Sequence, residues 1–293
     1  HVAVRVNGEW KPMSNGLENF NVAAVVGMAE INGKLYIGGE SVLYNAATQT
    51  RAHVLVWTGE RWEIAPAFPT NTTNWPMRAF LEFQGKIAIV RSAAAYLYDG
   101  VTTTLLSFTY DSENAIISAG VFENGSKLLL GYNSERYGPW QYLRYRYRIF
   151  DGVALTTSDF HISSNTYDTF YFRNMWSDGS QIAMMSSNSI PLIWKGNDVW
   201  ESVFPGGAPY GASFYTICFT SQGLVIGGYW DSSWIASNLA LRKIDGTTTT
   251  IPSSPQGSVW ASHWENDTLA IGGPFVATPK VVSAYFAEWA PVD

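Results

Sequence analysis

Residues 25–39 read VVGMAEINGKLYIGG: an apolar run, an Asn-Gly pair, then a second apolar run closing on two glycines. Asn and Gly tolerate positive φ at both centres of a two-residue turn, so the stretch predicts a β-hairpin. The same layout returns at 80–90 (FLEFQGKIAIV), 118–131 (SAGVFENGSKLLLG) and 171–185 (YFRNMWSDGSQIAMM). It appears twice more, at 214–228 (FYTICFTSQGLVIGG) and 260–273 (WASHWENDTLAIGG).

A second hairpin pattern alternates with the first: a short strand, a Gly or polar turn, and another short strand. It occurs at 54–64 (VLVWTGERWEI), 96–106 (YLYDGVTTTLL), 147–155 (YRIFDGVAL), 192–203 (LIWKGNDVWESV) and 241–251 (LRKIDGTTTTI). A sixth copy opens the chain at 2–13 (VAVRVNGEWKPM). Helical periodicity is nowhere sustained. Two hairpins per repeat, spaced about 45 residues apart, describe four-stranded blades of a β-propeller. The expectation is one all-β domain over residues 1–293. Its six antiparallel blades start near 24, 75, 114, 170, 213 and 259, with seven blades as the alternative.

The two ends are expected to share the last blade. Residues 1–13 would supply its outer hairpin and 260–273 its inner one, which closes the ring and removes open sheet edges. A further strand at 283–289 (SAYFAEW) then competes with residues 2–7 for one place. The chain opens on His1 rather than Met, so it is expected to be a mature, cleaved or cloned piece whose targeting segment is gone.

Strands ending in Gly-Gly (Gly38-Gly39, Gly227-Gly228, Gly272-Gly273) alternate with turns followed by Trp. The latter are Gly59 to Trp62, Gly196 to Trp200 and Gly8 to Trp10. The pattern resembles kelch-type propeller repeats, in degenerate form. The second, third and fourth blades lack the Gly pair, and the second, third and fifth lack the trailing Trp. Similar aromatic-rich, low-charge propellers occur in secreted lectins and in phage tail or receptor-binding proteins. The resemblance implies a fold and an extracellular setting; it implies no activity.

Composition narrows the function classes. Hydrophobic residues are 46% of the chain, enough for a sizeable core, whereas charged residues are 14% against about 25% in a usual soluble domain. A net charge of −6 argues against a nucleic-acid partner, which selects a basic surface. No apolar run is long enough for membrane insertion. The single cysteine, Cys218, excludes an internal disulfide and zinc sites built on paired Cys. It reads as a core residue.

Tight polar hairpin turns mark one end of the sheets as plain solvated surface. The opposite end receives longer, aromatic-rich connections at 40–51, 132–142, 229–238 and 274–282. Tyr137, Trp140 and Tyr142 lie on one of these, and Tyr229, Trp230, Asp231 and Trp234 on another. Trp75 and Tyr210 join them from connections between blades. Aromatic rings stack on the C–H face of sugars while amides and carboxylates take the hydroxyls, so these residues form the candidate ligand-binding set. The competing assignment for each ring is packing of loop on loop.

Catalytic alternatives are poorer. A glycosidase needs two carboxylates facing each other across a glycosidic bond. The inner-strand acids Glu30, Glu82, Glu123 and Glu265 all stand beside hairpin turns, at the wrong end. Sialidase-type Ser-x-Asp boxes are absent, and Ser177-Asp178-Gly179 reads as a turn. Arg173, Asn174, Tyr215 and His263 lie on inner strands and are the candidates for a lyase or hydrolase at the channel mouth. His1, His53, His161 and His263 have no metal-ligand spacing, and no cofactor is called for.

Arg144, Arg146 and Arg148 alternate with Tyr145 and Tyr147, so on a strand the three Arg share one face. They are expected to pair with acids of the next blade, or else to grip an anionic saccharide or a neighbouring subunit.

These features predict a non-enzymatic extracellular recognition module for a glycan or other cell-surface receptor. A carbohydrate-active enzyme and a protein–protein scaffold are the alternatives. The phage setting implies a homo-oligomer or a larger virion assembly, which multiplies weak sites.

Overall fold

The computed structural model describes residues 2–6, 9–17, 20–21, 25–45, 50–66, 76–108, 115–132, 135–137, 142–160, 175–185, 191–196, 199–204, 212–229, 238–251, 256–265, 268–273, 275–276 and 286–289. All regular structure of any length among them is β, and no helix is long and apolar enough to cross a membrane. The chain divides into two compact units, residues 1–121 with 125–159, and 122–124 with 160–293.

In the first unit, Val25–Ile31 pairs with Lys34–Asn45 around Asn32 and Gly33, whose φ angles of 51° and 69° suit the tight hairpin turn that Asn-Gly favours. Thr50–Trp57 and Trp62–Ile64 complete that sheet. The second sheet runs Met77–Phe83, Lys86–Arg91, Ala94–Tyr98, Thr103–Phe108, each strand beside the next. The third is built from Ile116–Phe122, Lys127–Tyr132, Tyr142–Phe150 and Leu155–Phe160. In the second unit one sheet holds Met175–Ser177, Ile182–Met185, Pro191–Trp194 and Trp200–Ser202. The next holds Ser213–Thr220, Gly223–Tyr229, Leu239–Lys243 and Thr248–Thr250, and the last Ala261–Glu265, Thr268–Gly272 and Phe286–Trp289. Every hairpin read in the sequence is therefore present.

Strands such as Lys86–Arg91 and Ile182–Met185 are buried along nearly their whole length because both faces of the sheet are covered. One apolar cluster joins the first sheet to the second through Ala29, Ile31, Tyr36, Met77, Phe80 and Ile89. Another joins the second to the third through Phe83, Val90, Leu128, Leu130 and Phe150. In the second unit, Phe214, Ile217 and Ile226 pack on Ala183 and Met185, while Cys218 and Val225 pack on Val259 and Leu269. Each large side chain buried this way contributes roughly 1.5–3 kcal/mol.

The Gly-Gly pairs have a steric cause. A Cβ on Gly38 would run into Phe80 and Met77 of the neighbouring sheet, and one on Gly227 would lie 2.9 Å from Val259 Cγ1. A Cβ on Gly228 or Gly273 would strike the carbonyl of Ser213 or Ser258 in its own sheet. The first Gly thus permits close sheet packing, and the second permits the inner strand to bend over it.

Two of the three trailing Trp residues face the Trp that precedes the same turn, while Trp10 lies opposite Arg5. Trp57 pairs with Trp62, ring centroids 5.3 Å apart, and Trp194 with Trp200 at 5.1 Å. Trp62 also fastens the N-terminal segment. Its Nε1–H donates to the Met13 carbonyl at 2.8 Å, its backbone N–H to Asn15 O at 2.9 Å, and it packs with Val2 and Met13. The hairpin Ala3–Val6 with Glu9–Pro12 forms a two-stranded sheet. The place beside Thr268–Gly272, for which two strands competed in the sequence reading, is held by Phe286–Trp289, with Leu269 opposite Trp289.

Candidate functional site

The candidate site begins with a recurrent irregularity. Inner strands slip register by one residue between Val25 and Gly27, between Met77 and Ala79, and between Phe214 and Thr216. Each slip leaves one extra residue, Val26, Arg78 or Tyr215, unpaired in the ladder, which is the signature of a β-bulge. The last sheet repeats it: Ala261 faces Gly272, and the preceding Trp260 also sends its N–H to the Gly272 carbonyl, at 2.8 Å. A bulge re-aims the side chain it carries. Arg78 and Tyr215 are accordingly exposed between buried neighbours, and Trp260 is 60% exposed.

In the second unit, two bulges and a strand end meet. Tyr229, at the end of its strand, lies opposite Ser213, two residues before Tyr215. The Val259 N–H donates to the Gly228 carbonyl at 3.1 Å, so the residues flanking that bond are Tyr229 and Trp260. Thr216 Oγ1 and Ser262 Oγ lie 2.9 Å apart and tie the two inner strands together one step further in. Tyr215 is 37% and Tyr229 46% exposed, so three aromatic rings stand open to solvent on one rim. Large aromatics are ordinarily taken deep into a fold, and an exposed group of them marks a binding surface.

Tyr229 is thus the one sequence-selected ligand residue whose side chain is described, and it is exposed where a ligand could stack. Trp260 was missed by the sequence reading. Its signal was its place, one residue before the inner-strand position that faces the first Gly of a Gly-Gly pair. Tyr210, Trp230, Asp231, Trp234, Trp75 and Trp140 lie outside the described residues, as do Arg173 and Asn174.

In the first unit, two connections expected as long loops are β-ribbons. The strand Lys34–Asn45 continues past Gly38-Gly39, and Leu43, Tyr44 and Asn45 pair with Ala52, Arg51 and Thr50. Likewise Glu135–Tyr137 pairs with the start of Tyr142–Phe150, setting Tyr137 opposite Tyr142 in the backbone register. Residues 46–49, 133–134 and 138–141 lie outside the described residues.

Arg148 departs from the expected pairing with acids. Its guanidinium bonds a hydroxyl and faces a ring, and among the described residues no carboxylate reaches it.

The catalytic alternatives gain little from the geometry. Glu30, Glu82 and Glu123 are exposed next to their hairpin turns. Asp178 takes the backbone N–H groups of Ser180 and Gln181 and the Ser180 hydroxyl, a turn-capping role. His263 is exposed on its strand, opposite Ala270. Cys218 is buried, and burial pushes its thiol up to about 11, which leaves it unreactive at neutral pH. Among the described residues no three His, Cys, Asp or Glu side chains gather as a metal site.

No family model matches the chain, and no curated protein matches its sequence. Solved structures do match its fold. A structure of YCF48 bound to a D1 peptide superposes with a TM-score of 0.62 at 11% identity, covering 98% of this chain and 83% of that one. The β-propeller domain of the Trilobed protease from Pyrococcus furiosus gives 0.54 at 9% identity, covering 85% and 77%. An ancestral GH74 enzyme gives 0.58 at 13% identity, and this chain, 88% covered, spans 36% of its length. These similarities, together with the repeated four-stranded antiparallel sheets, make this chain a β-propeller.

Proposed function

We propose that this propeller is a non-catalytic recognition module that binds a glycan across the aromatic rim of Tyr215, Tyr229 and Trp260. The observation that carries the reading is the exposure of those three rings where two bulged inner strands and the end of the strand Gly223–Tyr229 lie side by side. A sugar offers C–H faces to such rings, and the neighbouring connection carries Trp230, Asp231 and Trp234 as further stacking and hydroxyl-binding groups. The low charge and the turn-bound position of the inner-strand acids favour binding over hydrolysis. The setting proposed with it is extracellular: a secreted lectin or the receptor-binding part of a phage tail, in which repeated copies raise avidity.

The propeller fold itself serves peptide-bound YCF48 and a GH74 enzyme alike, so the occupant is decided at the site. The test is a glycan array that includes bacterial polysaccharides, with release of reducing ends measured on each hit. Retained glycan without release supports the proposal. Release of reducing ends replaces it with a carbohydrate-active enzyme, and an array without hits leaves a protein-binding scaffold in its place.

A further inference from the structure

Four inner strands place their bulge at the same step. The extra residue stands five positions before the last residue of its strand: Val26 before Ile31, Arg78 before Phe83, Tyr215 before Thr220 and Trp260 before Glu265. A bulge re-aims whichever side chain it carries. In the second sheet that side chain is a guanidinium, exposed between the buried Met77 and Ala79.

Charge in this sheet is sorted by end. Arg78 and Arg91 stand at one end, where Met77 pairs with Arg91, and Arg91 is fully buried. The acids of residues 76–108, Glu82 and Asp99, stand at the other end, with Lys86 on the strand between them. Glu82 is four residues from Arg78, about 13 Å along an extended strand and beyond the screening length of about 8 Å at physiological salt. Among the described residues no carboxylate pairs with Arg78. An exposed, unopposed guanidinium presents a planar fork of donors that fits a carboxylate or sulfate through two parallel bonds.

The first sheet adds an apolar neighbour. Its inner strand lies against that of the second sheet at Gly27, where a Cβ would come 2.7 Å from the Phe80 carbonyl oxygen. Val26, next to Gly27, is half-buried against the apolar cluster that the two sheets share. An acidic sugar carries a C–H face and an anion on one ring, and Val26 and Arg78 offer an apolar shoulder and a cation on neighbouring strands.

We propose that Arg78 is a ligand-binding residue, turned outward by its bulge to take the carboxylate or sulfate of an acidic glycan beside Val26. The proposal rests on the glycan reading for the nature of the ligand, and on the sorted charge of the second sheet for its anion.

The experiment measures binding of the whole chain to polygalacturonate and chondroitin sulfate by isothermal titration, each beside its methyl-esterified or desulfated form. The native chain is compared with Arg78→Ala, Arg78→Lys and Lys34→Ala, the last removing one positive charge from an exposed hairpin turn. The expected result is that at least one acidic polymer binds at least about tenfold more tightly than its neutral form. Arg78→Ala erases that preference, Arg78→Lys, which keeps the charge without the fork, loses most of it, and Lys34→Ala keeps it. An equal loss in Arg78→Ala and Lys34→Ala overturns the proposal in favour of diffuse attraction, and a preference that survives Arg78→Ala overturns it outright. Binding of the neutral forms with no acidic preference refutes the role of Arg78 and leaves the aromatic rim standing. If no polymer binds in either form, the role of Arg78 falls, and the glycan array decides separately whether the rim falls with it.

Discussion

The backbone N–H of Val259 donates to the carbonyl of Gly228 at 3.1 Å, stitching one sheet to the next directly between Tyr229 and Trp260. Gly227 and Gly228 make the approach possible, since side chains there would collide with Val259 or with the Ser213 backbone. The glycines that identify the repeat therefore also bring the exposed rings onto one rim.

Trp260 and Tyr215 project from bulges into solvent, so truncating either removes little packing. Trp260→Ala is expected to change stability by no more than about 0.5 kcal/mol. The same variant is expected to weaken glycan binding at least about tenfold, as for a central aromatic contact. Urea unfolding beside isothermal titration with an array hit checks both halves. A large stability loss would assign the ring to packing.

Gly38→Ala is expected to destabilise the fold by about 1–3 kcal/mol, because the new methyl must displace the buried Phe80 and Met77. Gly33→Ala offers the contrast, with no atom near the added methyl and only the positive φ of 69° to strain. Urea denaturation of both variants separates overpacking from turn strain.

Trp62→Phe keeps most of the buried ring but removes the donor to the Met13 carbonyl. Leaving that carbonyl unmet is expected to cost about 1–3 kcal/mol. The loss should be local first: amides of Met13 and Leu17 should exchange faster in hydrogen-exchange mass spectrometry than those of the second sheet.

His53 is buried, and desolvation with the nearby Arg91 charge lowers its pKa to about 4. Above its ordinary value near 6.5 both folded and unfolded chains hold it neutral, so it contributes nothing to pH dependence there. As pH falls from 6.5 towards 4, the unfolded chain takes up a proton that the folded one refuses. Stability should therefore drop by an amount approaching roughly 3 kcal/mol. Asp99, held down to about 2 by the Thr102 hydroxyl and by backbone N–H groups, loses its stabilising contribution only at still lower pH. Urea unfolding at pH 7.5 and 4.5 should show the drop in the native chain and a smaller one in His53→Gln.

The hairpins were legible because their signals are local. Asn32-Gly33 and Gln84-Gly85 carry the positive φ values their turn requires, and strand alternation flanks each pair. The ribbons at 40–51 and 132–142 were read as loops because strand pairing beyond the core has no apolar pattern of its own to announce it. Trp260 was passed over for a related reason. A bulge is a disagreement in register between two strands, so residue 260 alone carries no mark of it. Arg148 was placed correctly on a strand, but its company of the Ser107 hydroxyl and the Tyr132 ring comes from residues 41 and 16 positions away. No spacing rule brings those together.

The central claim is that a glycan stacks on the rim shared by Tyr215, Tyr229 and Trp260. Its most direct test is the Trp260 indole N–H resonance, assigned with Trp260→Phe, followed through titration with each glycan-array hit. The account predicts a saturable shift at Trp260, with the indole of the buried Trp62 unmoved. Binding that leaves Trp260 unshifted would contradict it and place the ligand elsewhere on the propeller.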